Sequence, residues 1–174
     1  MSLAPVVSDD AVSGDEREFM LLLQPLLPAA HRLAVGMLRS QSDADDAVQN
    51  ALINAWRSFG RFRRDSDLKP WLLTIVANEC RHLRRNRWWS VVKGLGHVDE
   101  PSSSQAGEDA VADLRRALYQ LPHDQRLVVI LRYYLDLSFE EVAQTLGIST
   151  KAAKSRTYRA LERLRLSPEV STDE

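Results

Sequence analysis

Residues 138–164 read SFEEVAQTLGISTKAAKSRTYRALERL, and this stretch decides the fold. Ser138-Phe139-Glu140-Glu141 fits a capping box: the Ser138 hydroxyl accepts from the Glu141 amide while the Glu141 carboxylate reaches back to the Ser138 amide. The helix it starts runs through Val142, Ala143 and Leu146. Gly147 supplies a tight turn, Ile148 plugs it, and Ser149 or Thr150 caps the next helix. A short helix, a glycine turn and a second helix make a helix-turn-helix. At roughly 100° per residue, Ala153, Thr157, Ala160, Leu161 and Leu164 gather on the core side of the second helix. Lys151, Ser155, Tyr158, Arg159 and Glu162 face away, flanked by Lys154, Arg156 and Arg163. Side chains on the first turns of such a helix meet base edges in the major groove, and bases beside them neutralise phosphates. The plain alternative is a solvated basic surface helix. The coincidence of capping box, glycine turn and amphipathic split favours DNA contact.

Outward from this motif, charge is laid out in blocks. Asp9, Asp10, Asp15, Glu16 and Glu18 make the N-terminal stretch acidic. Arg81, Arg84, Arg85, Arg87 and Lys93 follow one another without an intervening acid. Asp99, Glu100, Glu108, Asp109 and Asp113 form an acidic run that also holds Pro101, Ser102, Ser103, Ser104 and Gly107, the composition of a flexible linker. The 174-residue chain nevertheless carries a formal charge of only −1, so anion binding must come from this segregation. With 44% apolar residues it can bury a core. β-Branched alternation is rare, and the reading is all-α: two small helical domains joined by a flexible acidic linker. The expected limits are an acidic N-terminus over 1–14, a first domain over 15–92, the linker over 93–110, a second domain over 111–167 and a tail over 168–174.

In the first domain, Phe19, Leu22, Leu23, Leu26, Ala30, Leu33, Ala34 and Met37 keep helical spacing, with Pro25 and Pro28 kinking or splitting the stretch. Ala44, Ala47, Val48, Ala51, Leu52 and Ala55 form a second stripe, for which Ser42 or Asp43 is the expected N-cap. Phe59 to Lys69 reads as a basic loop, and Pro70 opens a third helix after a cap at Asp67. That helix turns Leu72, Ile75, Val76 and Leu83 inward and sets Thr74, Asn78, Arg81 and Arg85 along one polar face. Asparagine can hydrogen-bond a base edge and arginine can hold phosphate. Arg61, Arg63, Arg64 and Lys69 precede them, interleaved with Phe59, Phe62 and Trp71, a composition suited to unstacked single strands. A tryptophan at a helix start is, however, more often core. Trp88 and Trp89 either cap the domain or dock onto a partner, and Glu79 falls on the apolar face, where an ion pair with an arginine is the available account. Asp43, Asp45, Asp46, Gln49 and Asn50 make an acidic, amide-rich edge, favoured by the helix dipole or suited to basic groups of a partner protein. In the second domain, Val111, Leu114 and Leu118 begin a helix, and Pro122 opens another with Leu127, Ile130, Leu131 and Tyr134 inward.

The exclusions are as informative. The first residues lack a basic start and an apolar run of signal length, and a cytoplasmic protein is expected. Cys80 is the single cysteine, so Cys80 and His82 cannot complete a tetrahedral metal site, and no metal or cofactor is expected. His31, His82, His97 and His123 are scattered and the acids lie in tails, linker and a cap edge, an arrangement that argues against an enzyme.

Taken together, Ser42-Asp43-Ala44-Asp45-Asp46-Ala47-Val48-Gln49-Asn50-Ala51, Ala55-Trp56-Arg57, Phe62-Arg63 and Pro70-Trp71-Leu72-Leu73-Thr74-Ile75-Val76-Ala77-Asn78-Glu79 resemble region two of extracytoplasmic-function sigma factors. Leu121-Pro122-His123-Asp124-Gln125-Arg126, Ser138 to Ala143, Leu146-Gly147-Ile148-Ser149 and Lys154-Ser155-Arg156 resemble region four. The resemblance implies a bacterial transcription initiation factor with no chemistry of its own. It implies that Asp45, Asp46, Gln49 and Asn50 bind core RNA polymerase at the β′ clamp coiled coil. Arg61, Phe62, Arg63, Arg64, Lys69, Trp71, Thr74, Asn78, Arg81 and Arg85 would serve the minus-ten element. Lys151, Lys154, Ser155, Arg156, Tyr158 and Arg159 would read the minus-thirty-five element, with region four on the β flap. Promoter DNA, duplex and single-stranded, and an anti-sigma factor are the further partners it implies. Three departures stand out: Asn50 where the family often has glutamate, no aspartate between Asn78 and the arginine run, and Thr150-Lys151-Ala152-Ala153 in place of a glycine-containing turn. The rival reading is a stand-alone helix-turn-helix regulator whose N-terminal half dimerises or senses.

Overall fold

The computed structural model describes residues 14–63, 65–92 and 109–166, with side chains over 15–63, 65–86 and 112–166. Of the linker expected over 93–110, residues 93–108 lie outside what is described, while Asp109 and Ala110 are already helical; Arg64 and the Trp88 and Trp89 side chains also lie outside. The described residues are helical, without a strand. The first stretch splits as its prolines dictate into α1 (Gly14–Leu23), a 3-10 turn (Gln24–Leu26) and α2 (Leu27–Met37). Then come α3 (Gln41–Phe59), α4 (Leu68–Val92), α5 (Asp109–Gln120), α6 (His123–Val129), a π-helical segment (Ile130–Tyr134), α7 (Phe139–Leu146) and α8 (Thr150–Arg165).

In the first bundle α2, α3 and α4 pack on one another. Ala29, Ala30, Leu33, Ala34 and Met37 of α2 meet Ala44, Ala47, Ala51 and Ala55 of α3 and Leu72, Leu73, Val76, Ala77 and Cys80 of α4. The alanine stripe of α3 lets the helix axes approach closely, and burial of the larger leucines, about 25 cal/mol per Å² of apolar surface, holds them there. The 23-residue stretch Asp15–Met37 is apolar enough by length and composition to cross a membrane. Its apolar side chains include the core of this bundle.

Three local expectations change. The α3 cap is Ser40, whose Oγ accepts from the Asp43 amide at 3.2 Å, two residues ahead of the expected Ser42 and three ahead of Asp43. The basic loop is shorter than expected, because α3 continues through Phe59 and α4 begins at Leu68. Tyr134 is 53% exposed, not inward. The helix of α6 widens after Val129, with the Leu135 amide donating to the Ile130 carbonyl five residues back. The wider turn carries Tyr134 outward and brings Leu135 and Leu137 into the core.

The helix-turn-helix forms as read. Both hydrogen bonds of the capping box are present, Glu141 amide to Ser138 Oγ at 3.1 Å and Ser138 amide to Glu141 Oε2 at 2.7 Å. Ser149 caps α8 by accepting from the Ala152 amide at 3.1 Å. Gly147 ends α7 at φ 63°, a left-handed conformation that costs an L side chain about 1–2 kcal/mol. Gly147→Ala meets no atom within 4 Å, so the whole loss is backbone strain. Urea melts are expected to show about 1 kcal/mol less stability with the m-value unchanged.

The two halves are not separate bodies in this structure. Buried residues of both belong to one apolar cluster, and α4 packs on α7 while α2 packs on α6 and the π segment. Gly36 permits this approach: a Cβ placed there would stand 2.9 Å from Ile130 Cδ1. Across the seam, Tyr119 Oη donates to the Leu38 carbonyl at 2.6 Å and lies 3.3 Å from that of Val35. Arg126 is buried, and its guanidinium donates to the carbonyls of Leu118 (2.9 Å), Tyr119 (2.7 Å), Leu121 (3.3 Å) and, across the seam, Met37 (3.2 Å). One side chain thus satisfies carbonyls at the C-terminal ends of both α5 and α2, groups a helix leaves without partners of its own.

His123 lies beside this seam, buried at the start of α6. Burial, reinforced by Arg84, pushes its pKa down to about 4, although Asp124 opposes the shift. The unfolded chain, with an ordinary histidine near pH 6.5, binds this proton more readily than the folded one. The contribution of neutral His123 is therefore complete above pH 6.5 and is lost as pH falls from there towards 4. Thermal melts should lose stability over this window, and His123→Gln should flatten that part of the profile. An unchanged slope in the variant would contradict the assignment.

Candidate nucleic-acid interfaces

The first surface is the outer face of α8. Lys151, Lys154, Ser155, Tyr158 and Arg159 are exposed, while Ala153, Thr157, Ala160 and Leu164 on the opposite face are buried. The split follows the sequence angles, and burial of one face fixes the roll of the helix so that the other must point outward. Local contacts orient the outward side chains. Arg159 donates from Nη2 to Ser155 Oγ at 3.2 Å and from Nε to the Ser155 carbonyl at 3.3 Å. The Lys154 ammonium stands 5.6 Å from the centre of the Phe139 ring, and Tyr158 packs obliquely on the same ring. Arg156 differs: it is half-buried, with Nη1 4.0 Å from Asp124 Oδ2.

The second surface runs along α4 and the preceding loop. Asn78, Arg81 and Arg85 are exposed in a row, and Arg81 Nη1 donates to Asn78 Oδ1 at 2.9 Å. Thr74 begins the same row, but its Oγ1 lies 2.7 Å from the Pro70 carbonyl and 2.8 Å from the Thr145 carbonyl of α7. Its hydroxyl is engaged at the seam. In the loop, Arg61 is exposed and Arg63 is paired locally with Asp65 at 2.8 Å. Lys69 is half-buried. The aromatics are packed more tightly than a free stacking platform. Phe62 stacks on Phe59 at 6.4 Å and packs obliquely on Trp71 at 4.8 Å, and Phe59 meets Phe19, which in turn meets Trp56. Phe62 and Trp71 are half-buried, so one side of each ring supports the loop.

The third surface is the start of α3. Asp45, Asp46, Gln49 and Asn50 are exposed together. Asp45 Oδ1 lies 3.0 Å from His31 Nε2 and accepts from Gln41 Nε2 at 3.3 Å, which ties the acidic edge to α2.

Between the second and third surfaces, α3 and α4 enclose an open groove of about 640 Å³ lined by Asn50, Asn54, Arg57, Asn78, Arg81 and Arg85, among others. Asn54 is not picked out from the sequence, and Arg57 enters there only within the resemblance to region two, without a role. Their signal was available, since Asn50, Asn54 and Arg57 recur at i, i+4 and i+7 on one helix face. Glu79 also finds its place here: Asn54 Nδ2 donates to its Oε1 at 2.8 Å, where an arginine partner was expected. Cys80 is fully buried, and burial pushes its thiol up to about 12, leaving it an inert core residue at physiological pH. Among the described residues no three His, Cys, Asp or Glu side chains gather as a metal site would require.

A helix-turn-helix with a basic outer face stands at one end of the structure, and the comparisons with known proteins give the family. Residues 22–90 match the model of sigma-70 region 2, and residues 112–164 match that of sigma-70 region 4. The ECF RNA polymerase sigma factor SigM of Mycobacterium tuberculosis H37Rv is 34% identical over 153 residues, covering 88% of this chain and 78% of that protein. The sigma factor CarQ of Myxococcus xanthus is 35% identical over 143 residues, covering 79% of this chain and 82% of that protein. Among solved structures, the sigma factor RpoE of Bartonella quintana, in complex with the anti-sigma factor NepR, superposes with a TM-score of 0.75 at 32% identity, over 91% of this chain and 99% of that one. CnrH, in complex with the cytosolic domain of CnrY, gives 0.71 at 27% identity over 94% of each. The chain belongs to the extracytoplasmic-function group of the sigma-70 family, and it is a transcription initiation sigma factor. Sigma factors act by binding core RNA polymerase and promoter DNA and are non-enzymatic. Matches in both halves disfavour a stand-alone regulator.

Proposed function

We propose that this chain directs core RNA polymerase to promoters with two spaced elements, reading one as duplex and the other as an opened strand. Residues 15–92 act as region two, 93–110 as the linker and 111–167 as region four. The outer face of α8 enters the major groove of the minus-thirty-five element, with Lys151, Ser155 and Tyr158 towards base edges and Lys154, Arg156 and Arg159 towards phosphates. The observation that carries this reading is the arrangement of α8 itself: its inner face is sealed in the core, and its first turns present cations and hydrogen-bonding groups to solvent.

At the other end, Asn78, Arg81 and Arg85, with Arg61, Phe62, Arg63, Arg64, Lys69, Trp71 and Thr74, hold the exposed minus-ten strand. Melting is then a binding problem. Unstacking costs a few kcal/mol per base, and it is offset when the protein binds the single strand and not the duplex. Asp45, Asp46, Gln49 and Asn50 dock on the β′ clamp coiled coil, and region four docks on the β flap. Mounting both halves on one machine raises the effective concentration of each element for its own surface. The acidic linker follows a path lined with basic groups. The protein works in the cytoplasm without enzymatic activity of its own. An anti-sigma factor is expected to cover the same surfaces, a reading supported by the complexes of RpoE with NepR and of CnrH with CnrY.

Transcription with purified core polymerase over a genomic library, with start-site mapping, tests this directly. The expected result is initiation at a discrete set of sites sharing two upstream elements, absent with core alone. Initiation only when another sigma factor is added would refute it.

A further inference from the structure

The groove between α3 and α4 has a floor and rims of different chemistry. Asn54 and Glu79 are half-buried at its floor, joined by the hydrogen bond from Asn54 Nδ2 to Glu79 Oε1 at 2.8 Å. That bond uses one amide proton and one carboxylate oxygen. Glu79 Oε2 and Asn54 Oδ1 are left to accept from whatever enters. Arg57 is exposed on the α3 rim, and Arg81 and Arg85 are exposed on the α4 rim. The groove is therefore rich in acceptors within and cationic at its edges. A small anion would suit the rims but not the floor. A nucleotide suits both, because its phosphate is anionic and its base carries N–H donors. The volume of about 640 Å³ falls within the roughly 300–1,000 Å³ of sites that hold small organic groups. The α4 rim also belongs to the minus-ten row, so a strand held along that row runs beside the groove.

We propose that this groove is a second base-reading pocket for the opened strand, in which Glu79 and Asn54 accept from the base while Arg57, across from Arg85, holds a flanking phosphate. The inference rests on the assignment of Asn78, Arg81 and Arg85 to that strand. The floor sets the preference. Adenine, cytosine and guanine carry an exocyclic amine that donates two N–H groups, whereas thymine has none and turns carbonyl oxygens towards such a floor. A carboxylate accepts from the amine, as an acidic side chain does from cytosine N4, and repels the carbonyls of thymine. The rims contribute affinity without sequence information, since a guanidinium reads any phosphate alike. Glu79 and Asn54 come from two packed helices and not from a loop, so their separation is fixed before the strand arrives.

The test uses holoenzyme assembled from the full chain and core polymerase, titrated with a mapped promoter already opened by mismatches over the minus-ten element. Only the non-template base is varied, one position at a time, so the cost of melting stays out of the comparison. The parent is expected to bind thymine roughly tenfold more weakly than the other bases at one position besides that read by Asn78. Glu79→Gln keeps an acceptor for Asn54 and adds a donor for a carbonyl, so it should restore thymine at that position alone. Arg57→Ala removes an exposed side chain. It should weaken binding to every template alike and reduce the salt slope by about 1, with core polymerase affinity unchanged. No thymine penalty in the parent, or the same base profile in Glu79→Gln, would overturn base reading by the groove. An unchanged salt slope in Arg57→Ala would overturn the phosphate contact, as would a loss of core polymerase affinity in its place, which would make the groove part of the protein-docking edge. Asn78→Ala separates the pocket from the assignment beneath it. Weaker strand binding in that variant, with both groove variants at the parent level, would strike the pocket alone. Parent-level binding in all three would strike the minus-ten row itself.

Discussion

Replacing Lys154 and Arg159 together by alanine is expected to lower initiation at promoters that need an upstream element at least tenfold, and to leave core polymerase binding unchanged. Both side chains are exposed on the outer face of α8, so the folded structure loses only a ring contact and two local hydrogen bonds to Ser155. DNA binding loses two phosphate contacts. Each contact contributes a released counterion, so the slope of log affinity against log salt should fall by about 2 in magnitude. Arg156 is left in place because Asp124 also holds it. Salt-titrated binding of holoenzyme to promoter duplex gives the slope, and run-off transcription gives the rate. A rate loss with no change in slope would place these residues in base reading, not phosphate contact. No loss in either would remove α8 from the interface.

Arg126→Ala is expected to cost about 3 kcal/mol of stability, the largest effect of any single change considered. The side chain is 6% exposed, and its guanidinium serves four carbonyls from α5, its following turn and α2. It also stacks 4.7 Å over the Tyr119 ring, whose other neighbour Arg39 stands at 5.1 Å. Burial lowers the Arg126 pKa to about 10, which still leaves it charged at neutral pH. Truncation leaves buried acceptors without donors, a loss of about 1–3 kcal/mol each where water cannot follow. In a chain of this size about 3 kcal/mol corresponds to a fall in Tm of roughly 9 °C. Arg126→Lys should recover little, because a single ammonium cannot span carbonyls that a planar fork reaches. Thermal melts within 1 °C of the parent would show that the carbonyls find other donors.

What could be read from the sequence was local. The capping box at Ser138 and Glu141, the glycine turn at Gly147 and the two faces of α8 all depend on residues within one or two turns, and all are present. The alanine stripe of α3 and the split of the first helix at Pro25 and Pro28 belong to the same kind. Ser40 was missed as a cap because Ser40, Ser42 and Asp43 compete within four residues, and their choice depends on how the preceding chain leaves α2. Tyr134 was misplaced because a π segment breaks the 3.6-residue period on which the stripe was drawn. The seam was not legible at all. Tyr119 and Arg126 reach backbone carbonyls at the end of α2, acceptors that every residue carries and no side-chain pattern marks. Asp124 gained its place only when tertiary packing brought Arg81 and Arg156 to it.

The central claim is that one chain holds two nucleic-acid-reading surfaces at a fixed separation once it is mounted on polymerase. The measurement that bears on it most directly is initiation from a mapped promoter as the spacer between its two elements is varied one base pair at a time. The account predicts a sharp optimum, with initiation nearly abolished when about five base pairs are added and the upstream element turns to the opposite side of the helix. Initiation independent of spacer length, at a promoter that still requires both elements, would contradict it.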